Sequence, residues 1–298
     1  MLELKEFTLD LKERYEELLG GIPTSFYQFN NIFMAQEKAG LKYAEINGAF
    51  CVVAIPEAGD HSYGFFPLGA EESKLRNAFR VLREELGITR YYVPGEVLPQ
   101  IETECPGMFG VTVSRGDFDY IYDTQMLIQL AGKKYHQKRN HISRFMNTYQ
   151  YEYLTIDGSN FEVCRPMMDA WFAARTDVNS EVFDEVQVIN TLIDNFEVLG
   201  LRACALKADG KICAFAIGDV IGGDTAHIII EKADTAYHGA YSVINQQFLE
   251  HAFADTKYVN REEDMGHEGL RKAKASYRPI RFNEVFRLDY LDGETISE

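Results

Sequence analysis

The chain has 298 residues, of which 46% are hydrophobic, a length and composition that suit two folded domains and exclude a disordered chain. Its formal net charge of −16 disfavours broad binding to nucleic acid or to anionic membranes. The longest uncharged apolar stretches, such as 48–56, fall far short of the ~18–20 residues of a membrane span, and the acidic N-terminus does not resemble a signal peptide. We therefore expect no integral membrane segment and a cytoplasmic location.

The first half shows a clear order of elements. Apolar spacing and turn residues predict a helix, a hairpin of two strands, a third strand, a helix and a fourth strand. Asn47-Gly48 is a strong signal for a two-residue hairpin turn. The predicted elements cover residues 9–20, 41–46, 50–55, 61–68, 71–86 and 88–93.

The second half repeats the order hairpin, strand, helix, strand, with Asp209-Gly210 at the hairpin turn. This recurrence predicts a structural duplication in which 41–93 and 201–260 are equivalent units. The alternative is that α/β chains often share such an order without a duplication. The predicted elements cover residues 201–207, 211–220, 225–231, 241–253 and 256–260.

A mostly helical segment separates the two halves. Glycine and aspartate cluster at 114–120, which places a domain boundary there and predicts domains at 1–117 and 118–298. The fold class is α/β (α+β), with mixed sheets flanked by helices. In the middle segment we predict helices at 123–131, 133–149, 160–175 and 180–199, and a strand at 151–156.

Basic residues concentrate in two segments that contain no acid, 133–148 and 269–281. In so acidic a chain they indicate a recessed site for an anion. On the first segment Lys134, Lys138 and His141 line one helical face. The alternative is an ordinary solvated helical face. The candidate substrate-binding residues here are Lys138, Arg139, Asn140 and His141.

Polar residues from Asn260 to Asp264 directly follow a predicted strand, the position at which open α/β sheets form their sites. A short helix then carries its apolar residues on one side and its basic residues on the other, and Pro279 ends it. The alternative is a salt-bridged loop and helix. The candidate substrate-binding residues in this segment are Asn260, Arg261, Asp264, Arg271, Lys274 and Tyr277.

The junction between a strand and a helix at 231–242 is a third candidate. Backbone N–H groups at a helix start can bind phosphate, so Gly239, Ala240, Tyr241 and Ser242 are the candidate donor-binding residues. Glu231 or Glu262 is the candidate general base for an amine. For Glu231, an ordinary acid at a strand end is the alternative.

The sequence lacks the short motifs of several common enzyme classes. It contains no serine nucleophile elbow, Walker A loop, GxGxxG or HExxH motif. The five cysteines are dispersed without a CxxC pair, which argues against a disulfide framework and against a zinc site. We therefore predict no metal and buried, structural cysteines.

The segments KKYHQKRNHISRF (133–145) and NREEDMGHEGLRKAKASYRP (260–279), with DYIYDTQMLIQLAGKKYH before the first, resemble the phosphatidylglycerol lysyltransferase C-terminal domain family. That family is similar to the Fem aminoacyl transferases. The resemblance implies two tandem GNAT-like acyltransferase units and the use of an aminoacyl group from charged tRNA. It covers nearly the whole chain and is strongest from Asp119 onward.

The leading functional hypothesis is an acyl- or aminoacyl-transferase that uses acyl-CoA or aminoacyl-tRNA as co-substrate and an amine or hydroxyl acceptor. Direct transfer needs a binding site for the donor, a base and a hydrogen-bond donor to the oxyanion, for which the backbone N–H groups of residues 225–231 are the candidates. The net charge disfavours tRNA as a partner, and an anionic small molecule or acyl donor is favoured. The alternative is a non-catalytic sensor that retains the fold. The sequence leaves the acceptor and the oligomeric state open.

Two geometric expectations follow. Only the second copy should retain a donor site, because Glu71 and Glu72 begin the helix of the first copy, where a phosphate would sit. The two basic segments should converge on a single cleft, with Asn260 and Glu262 at its floor.

Overall fold

The computed structural model describes residues 2–56, 61–71, 74–173 and 180–291. The helices are α1 (Lys12–Leu19), α2 (Phe29–Ala39), α3 (Leu75–Leu86), α4 (Leu98–Glu104), α5 (Thr124–Gln129), α6 (His136–Thr148), α7 (Arg165–Ala173), α8 (Ser180–Asp194), α9 (Ala240–Ala252) and α10 (Glu268–Ala275). The strands are β1 (Leu41–Ile46), β2 (Ala49–Ala54), β3 (Tyr63–Gly64), β4 (Arg90–Pro94), β5 (Phe109–Val113), β6 (Asp119–Asp123), β7 (Tyr151–Ile156), β8 (Arg202–Ala208), β9 (Lys211–Ile221), β10 (Thr225–Ala233), β11 (Tyr258–Asn260), β12 (Arg281–Asn283) and β13 (Val285–Tyr290).

The first compact unit comprises the chain up to Phe118 and the residues from Asn283 onward. Its sheet has the order β1-β2-β3-β4-β13-β5, in which β3 and β4 are parallel. β13 pairs antiparallel with β4 on one side and with β5 on the other. The sequence prediction assigned this last segment to the second half. Its backbone hydrogen bonds to two strands return it to the first unit instead.

The second compact unit comprises Asp119–Phe282, and its sheet has the order β12-β6-β11-β10-β9-β8-β7. β10 and β11 are parallel, and the pairs from β7 to β10 and between β6 and β11 are antiparallel. α9 buries Val243, Ile244, Phe248 and Leu249, and these side chains belong to the core of this unit. Because burying each of them contributes roughly 1.5–3 kcal/mol, α9 is firmly fixed to the unit.

The two sheets repeat one topology, so the predicted duplication is confirmed at this level. In each, an antiparallel hairpin is followed by a third antiparallel strand, a helix and a fourth strand that runs parallel to the third. Both hairpins turn on a pair of residues with positive φ, 51° and 90° at Asn47-Gly48 and 49° and 83° at Asp209-Gly210. This geometry is the type I′ turn that the sequence predicted.

Several elements differ from the prediction. The sequence prediction missed α2, α4, β5, β6, β12 and β13. The predicted strand 61–68 shortens to β3, because only two of its residues find ladder partners. The predicted helix 71–86 begins at Leu75, and residues 72–73 lie outside the described residues, as do 174–175. The expectation about Glu72 at that helix start therefore lies outside the described residues too.

Within the described ranges, none of the helices combines the length and the apolar character that crossing a bilayer requires. All five cysteines are buried and carry free thiols.

Candidate active site

The sheet of the second unit opens where the pairing of β10 with β11 stops. The two strands pair in parallel from Thr225 opposite Tyr258 to His227 opposite Asn260, and β10 then continues to Ala233. Between Ile228 and Ile230 the register of β10 with β9 shifts at a β-bulge, and a bulge bends the strand that contains it. An opening of this kind at the ends of parallel strands is where α/β sheets bind ligands.

A lysine lies over an aromatic ring beside this opening. Nζ of Lys138, on α6, is 3.8 Å from the centroid of the buried Tyr277 ring. The guanidinium of Arg261, the first residue after β11, is 4.9 Å from the same centroid. The hydroxyl of Tyr277 donates to Oγ of Ser242, on α9, at 3.4 Å. Residues far apart in the chain therefore meet at one ring, and two cations share it.

Glu231, on β10, neutralises part of this charge. Nη2 of Arg261 donates to Oε1 of Glu231 at 2.8 Å, and Nδ2 of Asn245 donates to Oε2 at 3.0 Å. The two ionic side chains are only 12% and 11% exposed, so the pair is largely removed from water. Among the described residues, Nη1 of Arg261 is buried and has no hydrogen-bond partner. The cluster therefore holds one unused cationic donor.

The protonation of Lys138 is shifted towards neutrality. Burial disfavours its ammonium, the Arg261 cation repels it and Glu231 partly compensates, so that the pKa of Lys138 falls to about 8. A lysine with this pKa holds a proton at neutral pH and releases it readily just above. It can therefore take up and return a proton during a reaction.

The loop after β11 is held by polar side chains. Nδ2 of Asn260 donates to Oδ2 of Asp119 at 2.8 Å, and Oδ1 of Asn260 accepts the backbone N–H of Glu262 at 2.8 Å. The Glu262 carboxylate accepts from Nε2 of His227 at 3.1 Å, and Nδ1 of His227 lies 2.9 Å from Oδ1 of Asp219. Glu262, a candidate base, is thus tied to a buried histidine.

Lys274 supports the same loop from α10. Its ammonium donates to the backbone carbonyl oxygens of Arg261, at 2.6 Å, and of Glu263. Burial lowers the pKa of Lys274, and burial with the neighbouring charges of Glu262 and Asp119 raises the pKa of Glu263 to about 8. Lys274 therefore has a role in backbone architecture, and reversing its charge would disturb the loop as well as any bound anion.

Asp264 ends the loop in a fully buried position. It accepts two hydrogen bonds from Arg271, at 2.8 and 2.9 Å, and one from the hydroxyl of Tyr120 at 2.6 Å. Burial by itself would raise the pKa of Asp264, but these hydrogen bonds and that of the Gly266 amide outweigh it and hold the pKa well below its ordinary value. Arg271 and Asp264 therefore form a structural ion pair.

The start of α9 adjoins this cluster. Gly239 is the N-cap with φ 96°, Ala240 is buried and Tyr241 is 39% exposed. The ring centroid of His141 lies 5.2 Å from that of His238, the residue before the cap. Burial and the nearby cations lower the pKa of His141. The predicted phosphate seat is therefore a helix start flanked by two imidazole rings.

Two predicted residues of α6 make local contacts instead. The guanidinium of Arg139 donates to the backbone carbonyl oxygens of Leu130 and Gly132, the latter at 2.7 Å. The amide nitrogen of Asn140 lies 3.3 Å from Nδ1 of His136, one turn earlier. Arg139 contacts the segment between α5 and α6, and Asn140 contacts its own helix. Among the described residues, neither side chain has a recorded contact with the Tyr277 cluster.

Lys138 and Lys274 both adjoin Arg261, one through the Tyr277 ring and the other through the backbone carbonyl. Convergence of the two basic segments on one ligand stays a prediction.

Sequence reasoning missed several residues of this site. Asn245, Asp219 and His227 were not singled out. A histidine in the apolar strand segment AHIII was an available signal, since a polar group in a buried strand needs partners. Across the described residues, no group of three or more His, Cys, Asp or Glu side chains is arranged to hold a metal ion.

The contact between α6 and α9 at Gly239 yields a first prediction. A Cβ at Gly239 would overlap the backbone carbonyl oxygen of His141. Alanine there should lower the free energy of unfolding by about 1–3 kcal/mol more than alanine at Gly132, because overpacking adds to the strain of positive φ. Gly132 is the matched control, since its φ is 86° and nothing lies within 4 Å of its Cβ position. Urea unfolding measures both, and equal losses would contradict the close packing of α6 on α9.

Two mixed sheets of one topology, a splayed pair of parallel strands and a helix that starts at a glycine define a tandem GNAT-like acyltransferase fold. Two solved structures share it at low sequence identity. A tandem GNAT protein from the clavulanic acid biosynthesis pathway has a TM-score of 0.53 and 10% identity over 99% of this chain and 100% of its own. FemX has a TM-score of 0.58 and 8% identity over 96% of this chain and 97% of its own.

The sequence pattern of the family described as phosphatidylglycerol lysyltransferase, C-terminal, matches residues 23–288. The chain belongs to this family, and the resemblance noted from the sequence is confirmed.

Three further proteins are similar to this chain. A solved protein of unknown function from Bacteroides thetaiotaomicron is 30% identical, covering 98% of this chain and 100% of its own, with a TM-score of 0.87. The C-terminal domain of a protein of Agrobacterium fabrum, described as a lysylphosphatidylglycerol synthetase, has a TM-score of 0.65 and 16% identity over 95% of this chain and 92% of its own. An uncharacterized protein of Mycoplasmoides gallisepticum is 25% identical over 166 residues, 54% of this chain, and the match spans about half of that relative, 52% of its length.

Proposed function

We propose that the protein transfers an acyl or aminoacyl group from an acyl-CoA or aminoacyl-tRNA donor to an amine or hydroxyl acceptor, at the cluster formed by Lys138, Tyr277, Arg261 and Glu231. One observation carries the proposal. A lysine with a pKa of about 8 lies 3.8 Å over a buried tyrosine ring, next to a desolvated Arg–Glu pair at the opening of the sheet. Membership in a family described as a lysyltransferase supports the reaction class.

The transfer is a direct displacement at the donor carbonyl. The acceptor nitrogen or oxygen attacks the carbonyl carbon, a new C–N or C–O bond forms, and the C–S bond of a thioester or the C–O bond of an aminoacyl ester breaks. Neutral Lys138 takes the proton of the acceptor. The resulting ammonium returns a proton to the leaving thiolate or ribose oxygen, which restores the lysine.

Arg261 is the proposed donor to the oxyanion. Among the described residues its Nη1 has no hydrogen-bond partner, and a cationic donor strengthens its bond as negative charge develops on the carbonyl oxygen. Glu231 would keep Arg261 in place, because both its carboxylate oxygens already accept hydrogen bonds. Glu262, tied to His227, is the alternative base that the sequence suggested.

The helix start at 239–242 is the proposed seat for the phosphates of the donor. The dipole of α9 favours an anion there, and His141 adds a titratable donor beside it. The N–H groups of Ala240 and Ser242 already donate to the backbone carbonyl oxygens of Tyr237 and Gly239. The net charge of −16 favours the smaller acyl-CoA over tRNA.

Native mass spectrometry with acetyl-CoA, longer acyl-CoAs and charged tRNA tests the proposal, in the presence of a panel of amines and alcohols. An enzyme releases free CoA or uncharged tRNA and a mass-shifted acceptor. A protein that binds one of these donors and returns it unchanged with every acceptor would be a sensor, and the proposed transfer would be wrong.

A further inference from the structure

His227 lies at the last position at which β10 pairs with β11, and it is 0% exposed. Its two ring nitrogens face carboxylates on different elements, Asp219 on β9 at 2.9 Å and Glu262 on the loop after β11 at 3.1 Å. These two carboxylates are the charged groups that act on the ring from the elements packed against it. Burial alone would lower the pKa of His227, but the two acids raise it to about 10. The ring is therefore a buried imidazolium at neutral pH, with a donor on each side.

The loop that this histidine contacts has an unfavourable backbone. Glu262 has φ 56°, in the left-handed region. A residue other than glycine adopts this backbone conformation at a cost of roughly 1–2 kcal/mol. Three interactions hold it there: Asn260 accepts its N–H, its carbonyl oxygen accepts the N–H of Tyr120, and its carboxylate accepts from His227. Such a backbone conformation persists only where several surrounding interactions hold it in place.

Arg261 lies between Asn260 and Glu262, and hydrogen bonds hold both of these residues in place. Its own N–H donates to the carbonyl oxygen of Tyr120, and its guanidinium then reaches Glu231. Since the peptide on either side of Arg261 is fixed, the direction of its side chain depends on the conformation of Glu262.

We propose that His227 is a positioning residue which, through Glu262, keeps the guanidinium of Arg261 on Glu231 and over the ring of Tyr277. An imidazolium suits this task because it donates to two carboxylates from opposite edges of a rigid ring. A glutamine would donate to one carboxylate and turn a carbonyl oxygen towards the other. The inference rests on the proposed function for its consequence in catalysis, but the position of Arg261 is measurable without any activity.

The test replaces His227 with glutamine and measures two quantities. The first is the pKa of Lys138 by lysine side-chain NMR, since the Arg261 cation depresses it. If Arg261 leaves the Tyr277 ring, this pKa rises from about 8 towards that of an ordinary lysine. The second is kcat/KM for transfer, which should fall by at least about tenfold in H227Q and by no more in H227Q/R261K than in R261K alone.

The controls separate this inference from the proposed function. H61Q, at an exposed histidine, should change neither quantity. E262Q keeps a hydrogen-bond acceptor for His227 but loses the negative charge. It should reproduce part of the rise in the pKa of Lys138 even if H227Q folds poorly. An unchanged pKa of Lys138 in both folded variants, or additive losses in the double variant, overturns the positioning role. Absence of transfer in the wild-type protein with every donor refutes the proposed function and leaves the NMR test standing.

Discussion

Replacing Lys138 with methionine is expected to lower kcat/KM for acyl or aminoacyl transfer by about 10²–10⁴, the contribution of a positioned proton-transfer group. Methionine keeps an unbranched apolar stem over the Tyr277 ring, so the packing of α6 is preserved while the amine is lost. Steady-state kinetics with the donor identified by mass spectrometry measures the loss. K133M is the matched control, because Lys133 is an exposed residue of the same basic segment, and it should keep its activity.

The pH profile separates two roles for Lys138. If its neutral amine takes the proton of the acceptor, log(kcat/KM) rises with pH up to about 8, the pKa of Lys138 in the free protein, and levels above it. If its cation only holds an anion, activity instead falls as the pH passes 8. K138R preserves the charge but does not titrate in this pH range. It should therefore still bind the donor but should transfer the group slowly. A K138R variant with wild-type turnover would contradict the role in proton transfer.

Replacing Arg261 with methionine is expected to destabilise the second unit by about 3–5 kcal/mol, because it leaves a buried carboxylate without its counter-ion. Glu231 is 11% exposed and, among the described residues, would retain the hydrogen bond from Asn245 at 3.0 Å as its one recorded side-chain contact of this kind. The free energy of unfolding from urea denaturation measures this change. Removal of the oxyanion donor should abolish transfer in the same variant, even at temperatures where it remains folded.

Two further variants test the origin of that loss. R261M/E231Q removes both charges and should recover a large part of the stability, because an unpaired buried charge costs more than a missing pair. R90M removes an ion pair of 2.7 Å in the first unit, between side chains that are 34% and 36% exposed, and should cost only about 0–1 kcal/mol. Equal losses in R261M and R90M would contradict the desolvation of the Arg261–Glu231 pair.

The two lysines of the predicted cleft show that a charge pattern in the sequence does not predict what each side chain contacts. Lys138 and Lys274 look equivalent in the sequence, since each lies on a basic helical face. In the structure one ammonium lies over an aromatic ring and the other donates to two backbone carbonyl oxygens. A ligand can use the first without disturbing the backbone, whereas the second is already committed to the loop.

The sequence by itself determined the local elements and their repetition. Both Asn-Gly and Asp-Gly turns, the helices that end at glycine and the order hairpin, strand, helix, strand were all predicted, because turn chemistry and apolar periodicity act over a few residues. The duplicated fold followed from that order and from the resemblance of 133–145 and 260–279 to a known family.

Only the tertiary structure decided which residues meet. β13 joins the first sheet through hydrogen bonds to strands about 175 to 195 residues earlier in the chain, a pairing for which no local signal exists. Glu231, Asn245 and Arg261 form one cluster because α9 and β11 both pack beside β10. The pKa of Lys138 likewise depends on burial and on a neighbour 123 positions away, and such long-range contacts leave no periodicity in the sequence.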